Sequence, residues 1–116
     1  MRTIDAGKRG EEIAEKALHK AGMKTLARNY RFGHCELDLV MQERKTGTIV
    51  FVEVKARSKD TVAFPRQSVT WKKQQNLRKA ALGYCAENGL TEQPCRFDVV
   101  EVWLDDAHVE QFENAF

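Results

Sequence analysis

The sequence predicts one α/β domain over residues 1–116, in the order α-β-β-β-α-β, with a mixed central sheet flanked by helices. Three observations predict it. Apolar residues recur at helical spacing in two segments. Four other segments read as strands, two of them strongly β-prone, and glycine, proline and polar stretches separate them. The second helical segment falls between two strand runs, where it can serve as a crossover that makes them parallel.

The first helix runs from about Asp5 to Ala21, on the recurrence of Ile13, Ala14, Ala17, Leu18 and Ala21. Asp5 is placed to cap its start and Gly22 to end it. Thr25 to Phe32 follows as a strand of weak alternation. Glu36 to Gln42 and Thr48 to Arg57 are two further strands, and the short polar loop Glu43-Arg44-Lys45-Thr46-Gly47 between them is a hairpin signal. Ser58 to Gln67 is a polar loop containing Pro65. The second helix runs from Thr70, a good N-cap, to Glu87, with Asn88-Gly89 as its stop. Pro94 precedes the last strong strand, Arg96 to Leu104, and the tail from Asp105 is ambiguous.

Composition narrows the function classes. Hydrophobic residues are 42% and charged residues 31%, ordinary for a soluble globular domain. No apolar run approaches the roughly 20 residues that span a bilayer, and no apolar stretch follows the charged N-terminus, so neither a membrane span nor a signal peptide is expected. Cys35, Cys85 and Cys95 are odd in number and not at metal-ligand spacing. This disfavours zinc and disulfides and points to a reducing compartment, the cytoplasm. A net charge of +2 does not by itself argue for nucleic acid. Its distribution says more: Arg57 to Lys79 holds seven Lys and Arg against one acid, Asp60. That stretch is either a local basic surface or a solvated helix face.

The chemistry lies where alternation changes character. In the second strand Leu37, Leu39 and Met41 share one face, and Glu36, Asp38, Val40 and Gln42 the other. In the third, Val50, Val52 and Val54 share one face, and Ile49, Phe51, Glu53, Lys55 and Arg57 the other. If the hairpin closes near Lys45, opposed residue numbers sum to about 90, give or take one. Asp38 then lies beside Val52 or Glu53, and Glu36 beside Val54 or Lys55. Cross-strand Cβ atoms stand roughly 5 Å apart, and two carboxylates that close repel unless something positive sits between them. Lys55 and a hard divalent ion, Mg²⁺ or Mn²⁺, would serve. The competing reading is a charged solvent face with a plain Glu36–Lys55 pair. Val40, Ile49 and Phe51 on the same face weigh against it, because a face apolar at one end and acidic at the other resembles a core opening into a cleft.

Both helices add candidates. On a helical wheel Glu11 falls at the edge of the first helix's apolar stripe, from which it can reach the carboxylates, whereas Glu12 falls on the polar side. Both acids also suit the early turns of a helix through its dipole. Lys73 falls on the apolar stripe of Leu77, Ala80, Ala81 and Tyr84, near a helix start that disfavours cations. It either snorkels to water or meets the acidic site or a phosphate.

Asp38, fourteen residues, then Glu53-Val54-Lys55 matches the D…(D/E)xK signature of the restriction-endonuclease-like nucleases. Over nearly its whole length the chain resembles the bacterial YraN-like family, related to Holliday-junction resolvases. The residues that carry the resemblance are Gly10-Glu11 with Ala14, Ala27-Arg28-Asn29-Tyr30-Arg31, Glu36-Leu37-Asp38-Leu39-Val40, and Phe51-Val52-Glu53-Val54-Lys55-Ala56-Arg57. Val69-Thr70 with Lys73, Arg96-Phe97-Asp98-Val99-Val100 and Asn114-Ala115-Phe116 complete it. The resemblance implies a restriction-endonuclease-like core, Asp38 and Glu53 as metal ligands, Lys55 as the catalytic-type lysine and Glu11 as the helix carboxylate. One residue departs from the family pattern: Cys35 stands where glycine is usual before the Glu-x-Asp strand.

The expectation is a metal-dependent nuclease that hydrolyses phosphodiesters of DNA or RNA. Asp38, Glu53 and Glu11 would hold Mg²⁺ or Mn²⁺, and Arg31, Arg57, Arg66 and Lys73 would hold the phosphate backbone. A homodimer would suit a two-fold substrate. The alternatives are a nucleic-acid-binding module with a catalytically silent site, and a partner-binding scaffold with structural charges.

Overall fold

The computed structural model describes residues 3–57 and 69–116. Helix α1 spans Thr3–Lys20, strands β1, β2 and β3 span Met23–Phe32, Cys35–Glu43 and Ile49–Arg57, helix α2 spans Trp71–Glu87, and strands β4 and β5 span Cys95–Trp103 and His108–Phe112. The predicted order holds, and the ambiguous tail is a fifth strand. Asp5, expected to cap α1, lies inside it. Gly22 ends the helix in the left-handed region, φ 93°, where a side chain would be strained. Thr70 caps α2 as expected: its hydroxyl accepts the Lys73 backbone N–H at 3.2 Å. The loop expected at Ser58–Gln67 and Arg66 within it lie outside the described residues.

The sheet order is β1-β2-β3-β4-β5, antiparallel except for the β3–β4 pair, which is parallel as the crossover reading requires. Each face of the sheet is covered by one helix. Ala14 and Leu18 of α1 pack with Leu39, Met41, Val50, Val52, Val100 and Val102. Leu77, Ala80, Ala81 and Tyr84 of α2 pack with Val40, Ile49, Phe51, Phe97 and Val99. These are the two sides that alternation assigns to β3, and Val50, Val52, Ile49 and Phe51 are all buried. Leu37 departs from its parity. It packs on the α2 side with Val40, not with Leu39 and Met41. The change of side falls where Asn29 of β1, φ 49°, lies between the pairs Arg28↔Leu39 and Tyr30↔Leu37. Asparagine tolerates this conformation better than most residues. No helix among the described residues is long and apolar enough to cross a membrane.

The C-terminal segment is tied down through a buried acid that the sequence reading did not single out. Asp98 in β4 is fully buried. It accepts from Arg96 Nε at 3.1 Å, Gln111 Nε2 at 3.0 Å and the Asn114 backbone N–H at 3.1 Å. Arg96 also meets Glu43 at 3.0 Å. Ala115 donates to the Phe97 carbonyl at 2.8 Å, and Phe116 packs on the Phe97 ring. Breaking a buried ion pair by removing one partner costs about 3–5 kcal/mol. Asp98→Ala is therefore expected to lose stability of that order in urea unfolding. A loss under about 1 kcal/mol would show that Asp98 does not hold the tail.

Candidate carboxylate–lysine site

The site forms where β2 and β3 part. Their backbone pairing runs from Gln42↔Ile49 to Leu39↔Val52, a register whose residue numbers sum to 91. One step further the Val54 N–H is taken by the Asp38 carboxylate, Oδ2 accepting at 2.8 Å. A side chain stands there in place of a ladder carbonyl, so the edge of β3 is satisfied while the strands open. Glu53, the next residue of β3 beyond the last pair, is buried. Asp38, Glu53, Glu36, His34 and Cys35 line one side of a cleft of about 410 Å³, and Thr70, Lys72, Lys73 and Asn76 of the α2 start line the other.

Glu53 receives two ammonium groups. Lys73 Nζ lies 2.9 Å from Glu53 Oε1, and Lys55 Nζ lies 3.7 Å from the same oxygen. Lys73 thus leaves the apolar stripe of α2 to meet the acidic site. Burial pulls the Lys73 ammonium down, but the Glu53 hydrogen bond and charge outweigh it and hold the group above its ordinary value. Lys55 goes the other way: burial, with the Lys73 charge beside it, outweighs Glu53 and holds Lys55 below the usual lysine range. Burial and then the Glu53 charge push the Asp38 carboxyl up to about 7, against the stabilising Val54 N–H.

Glu11 approaches from the opposite layer. Gly10 seats α1 on β3: a Cβ there would stand 3.1 Å from the Ala56 Cβ. The following residue, Glu11, is near enough for its charge to raise Asp38 further, whereas Glu12 is exposed. Asn29 Nδ2 donates to Glu11 Oε1 at 2.9 Å. Asn29 therefore marks the break in alternation and also orients the helix acid, a role that its sequence position does not announce. Among the described residues no three His, Cys, Asp or Glu side chains form a group able to hold a metal ion. Of the three acids expected as ligands, Asp38 and Glu53 line the cleft and Glu11 does not.

The other candidates scatter. Glu36 does not meet Lys55; it pairs across to β1 with Arg31 at 3.2 Å, because β1 and not β3 is its hydrogen-bonded neighbour. Arg31 is the more exposed partner. Arg57 is 11% exposed and lies 3.5 Å from Glu101, itself fully buried on β4. Cys35 enters β2 directly after the two-residue turn Gly33-His34. Among the described residues the positive φ of that turn falls on Gly33, at 62°, and not on Cys35. The cysteine at the usual glycine position therefore asks no left-handed backbone of the strand.

The uncharacterised protein family UPF0102 matches residues 10–102. A UPF0102 protein of Desulfosudis oleivorans is 41% identical over 110 residues, covering 95% of this chain and 88% of that protein. One of Clostridioides difficile is 36% identical over 116 residues, covering 100% of both. One of Oleidesulfovibrio alaskensis is 44% identical over 97 residues, and there the chain spans only about half of the relative, 47% of its length. Among solved structures, Pyrococcus furiosus SfsA in complex with Ca²⁺ aligns with a TM-score of 0.30 at 16% identity, over 96% of this chain and 63% of that one.

The raised Asp38 carboxyl has a signed consequence. The folded domain keeps a proton that the unfolded chain releases near pH 4, so stability falls as pH rises from about 4 to about 7. Asp38→Asn is expected to gain on the order of 2 kcal/mol at pH 8 and to change little at pH 4, read by urea unfolding at both pH values. A variant less stable than wild type at pH 8 would contradict the assignment.

Proposed function

We propose that this chain, which belongs to the uncharacterised protein family UPF0102, is a divalent-metal-dependent nuclease with a restriction-endonuclease-like core and a site made by Asp38, Glu53 and Lys55. The observation that carries the reading is the meeting of Asp38, Glu53, Lys55 and Lys73 at the opened end of β2 and β3, with Asp38, Glu53 and Lys73 lining one cleft and Lys55 beside Glu53. The donor chemistry fits Mg²⁺ or Mn²⁺. Magnesium is usually held by one or two carboxylates with waters and substrate phosphates completing its shell. Glu53 already attracts two cationic groups to one oxygen. When bound, the ion would polarise the scissile phosphate and acidify water.

The remaining steps fall to the chain. Asp38 and Glu53 would supply the negative charge that holds the ion, Asp38 in its deprotonated form. Val54 holds Asp38 in orientation through its backbone N–H. Lys55, held below the usual lysine range, is suited to accept a proton from the attacking water or to offset charge on the phosphate in the transition state. Glu11, steered by Asn29, adds negative potential from α1. Lys72 and Lys73 line the cleft, and exposed Arg31 pairs with Glu36 of its lining, so phosphates of DNA or RNA would meet these cations. A Holliday-junction-resolvase-like action on branched substrate, by a homodimer, is the form this chemistry takes in the resemblance described above.

A second reading has its own support. Lys73 Nζ at 2.9 Å supplies Glu53 with a counter-charge from the chain itself, an arrangement that also suits a catalytically silent nucleic-acid-binding module. A cleavage screen on supercoiled, branched and single-stranded DNA and on RNA, with Mg²⁺ or Mn²⁺, separates the two. The nuclease reading expects metal-dependent cleavage that Lys55→Ala reduces by at least about a hundredfold. No cleavage on any substrate, with salt-sensitive binding that survives Asp38→Asn, would establish the silent module instead.

A further inference from the structure

We propose that Lys73 is a built-in counter-ion that competes with the metal for Glu53, so that the cation enters this site by displacing an ammonium. The inference rests on the metal reading of Asp38 and Glu53. Its basis is geometric. Lys73 Nζ sits 2.9 Å from the oxygen of a buried carboxylate, the shorter of the two ammonium contacts to that oxygen. Lys55 extends from the same strand as Glu53 and is largely buried, whereas the Lys73 side chain is 41% exposed on the first turn of α2, with solvent into which it can swing. Its helix start offers no favourable field for a cation, since first-turn N–H groups carry partial positive charge. Glu53 is thus its principal attraction. Two ammonium groups already lie within 4 Å of this oxygen, and a divalent ion bound there would bring a third positive charge into the same buried place, so metal binding favours release of the nearer ammonium, Lys73. An ammonium released in this way stays in the cleft, lined by Lys72, Lys73 and Thr70, where a phosphate would lie.

Lys72 provides the control, because it lines the same cleft but makes no ion pair with Glu53 at contact distance. Mn²⁺ is titrated into wild type, Lys73→Met, Lys73→Gln, Lys72→Met and Asp38→Asn without nucleic acid, and the free Mn²⁺ signal is read by electron paramagnetic resonance. Couplings of this kind span about 5- to 150-fold. Both Lys73 variants are expected to bind Mn²⁺ roughly tenfold more tightly than wild type, and Lys72→Met within about twofold of it. Equal or weaker binding by the Lys73 variants, while wild type binds and Asp38→Asn does not, overturns the displacement and leaves the metal site standing. The same gain in Lys72→Met also overturns it, since general charge removal would then account for the effect. No binding by wild type or either Lys73 variant overturns both the displacement and the metal reading.

Discussion

The arrangement depends on compensating two acids that the fold holds close together in a partly dry place. Asp38 and Glu53 lie on adjacent strands at the point where the strands separate, and neither is free to move away from the other. The molecule answers with three devices. A backbone N–H is given to Asp38, two ammonium groups are given to Glu53, and Asp38 is left holding a proton near neutrality. In the proposed metal reading an ion would take the place of the Asp38 proton and the Lys73 ammonium, while the Val54 N–H and Lys55 stay.

The fold builds this balance from both faces of the sheet. Alternation along β3 sends Phe51, Glu53 and Lys55 toward α2, and that face turns from a sealed core into an open cleft at the level of Glu53. From the other face, α1 comes close enough at Gly10 to touch Ala56, which carries Glu11 toward Asp38. The Thr70 cap fixes where α2 begins and therefore where Lys73 stands relative to β3. Behind the site, Arg57 and Arg96 pair with the buried acids Glu101 and Asp98. Through Asp98, β4 is joined to the tail at Asn114.

Much of this was legible in the sequence for a physical reason. Elements with strong periodicity and clear caps specify themselves locally, as β3, α2 and the β2–β3 hairpin do. The register followed from loop length, expected near a sum of 90 and found at 91. Lys73 was legible because a lysine on an apolar stripe needs a partner. What escaped the sequence depends on distant partners. Glu36 turns to Arg31 because β1 occupies its hydrogen-bonded edge, and nothing local says so. Leu37 changes side beside Asn29, whose φ is 49°. The partners of Asp98 lie in the tail that the sequence left ambiguous, where β5 and the residues after it supply Gln111 and Asn114.

The most direct test of the central claim is where a paramagnetic ion settles. In an amide-resolved nuclear magnetic resonance titration with substoichiometric Mn²⁺, selective broadening should appear first at residues 37–39 and 52–55, on the two strands that part around Asp38. Broadening confined to the acidic turn at Asp105 and Asp106, with the β2–β3 opening untouched, would contradict the account and remove the physical basis for phosphodiester chemistry in this domain.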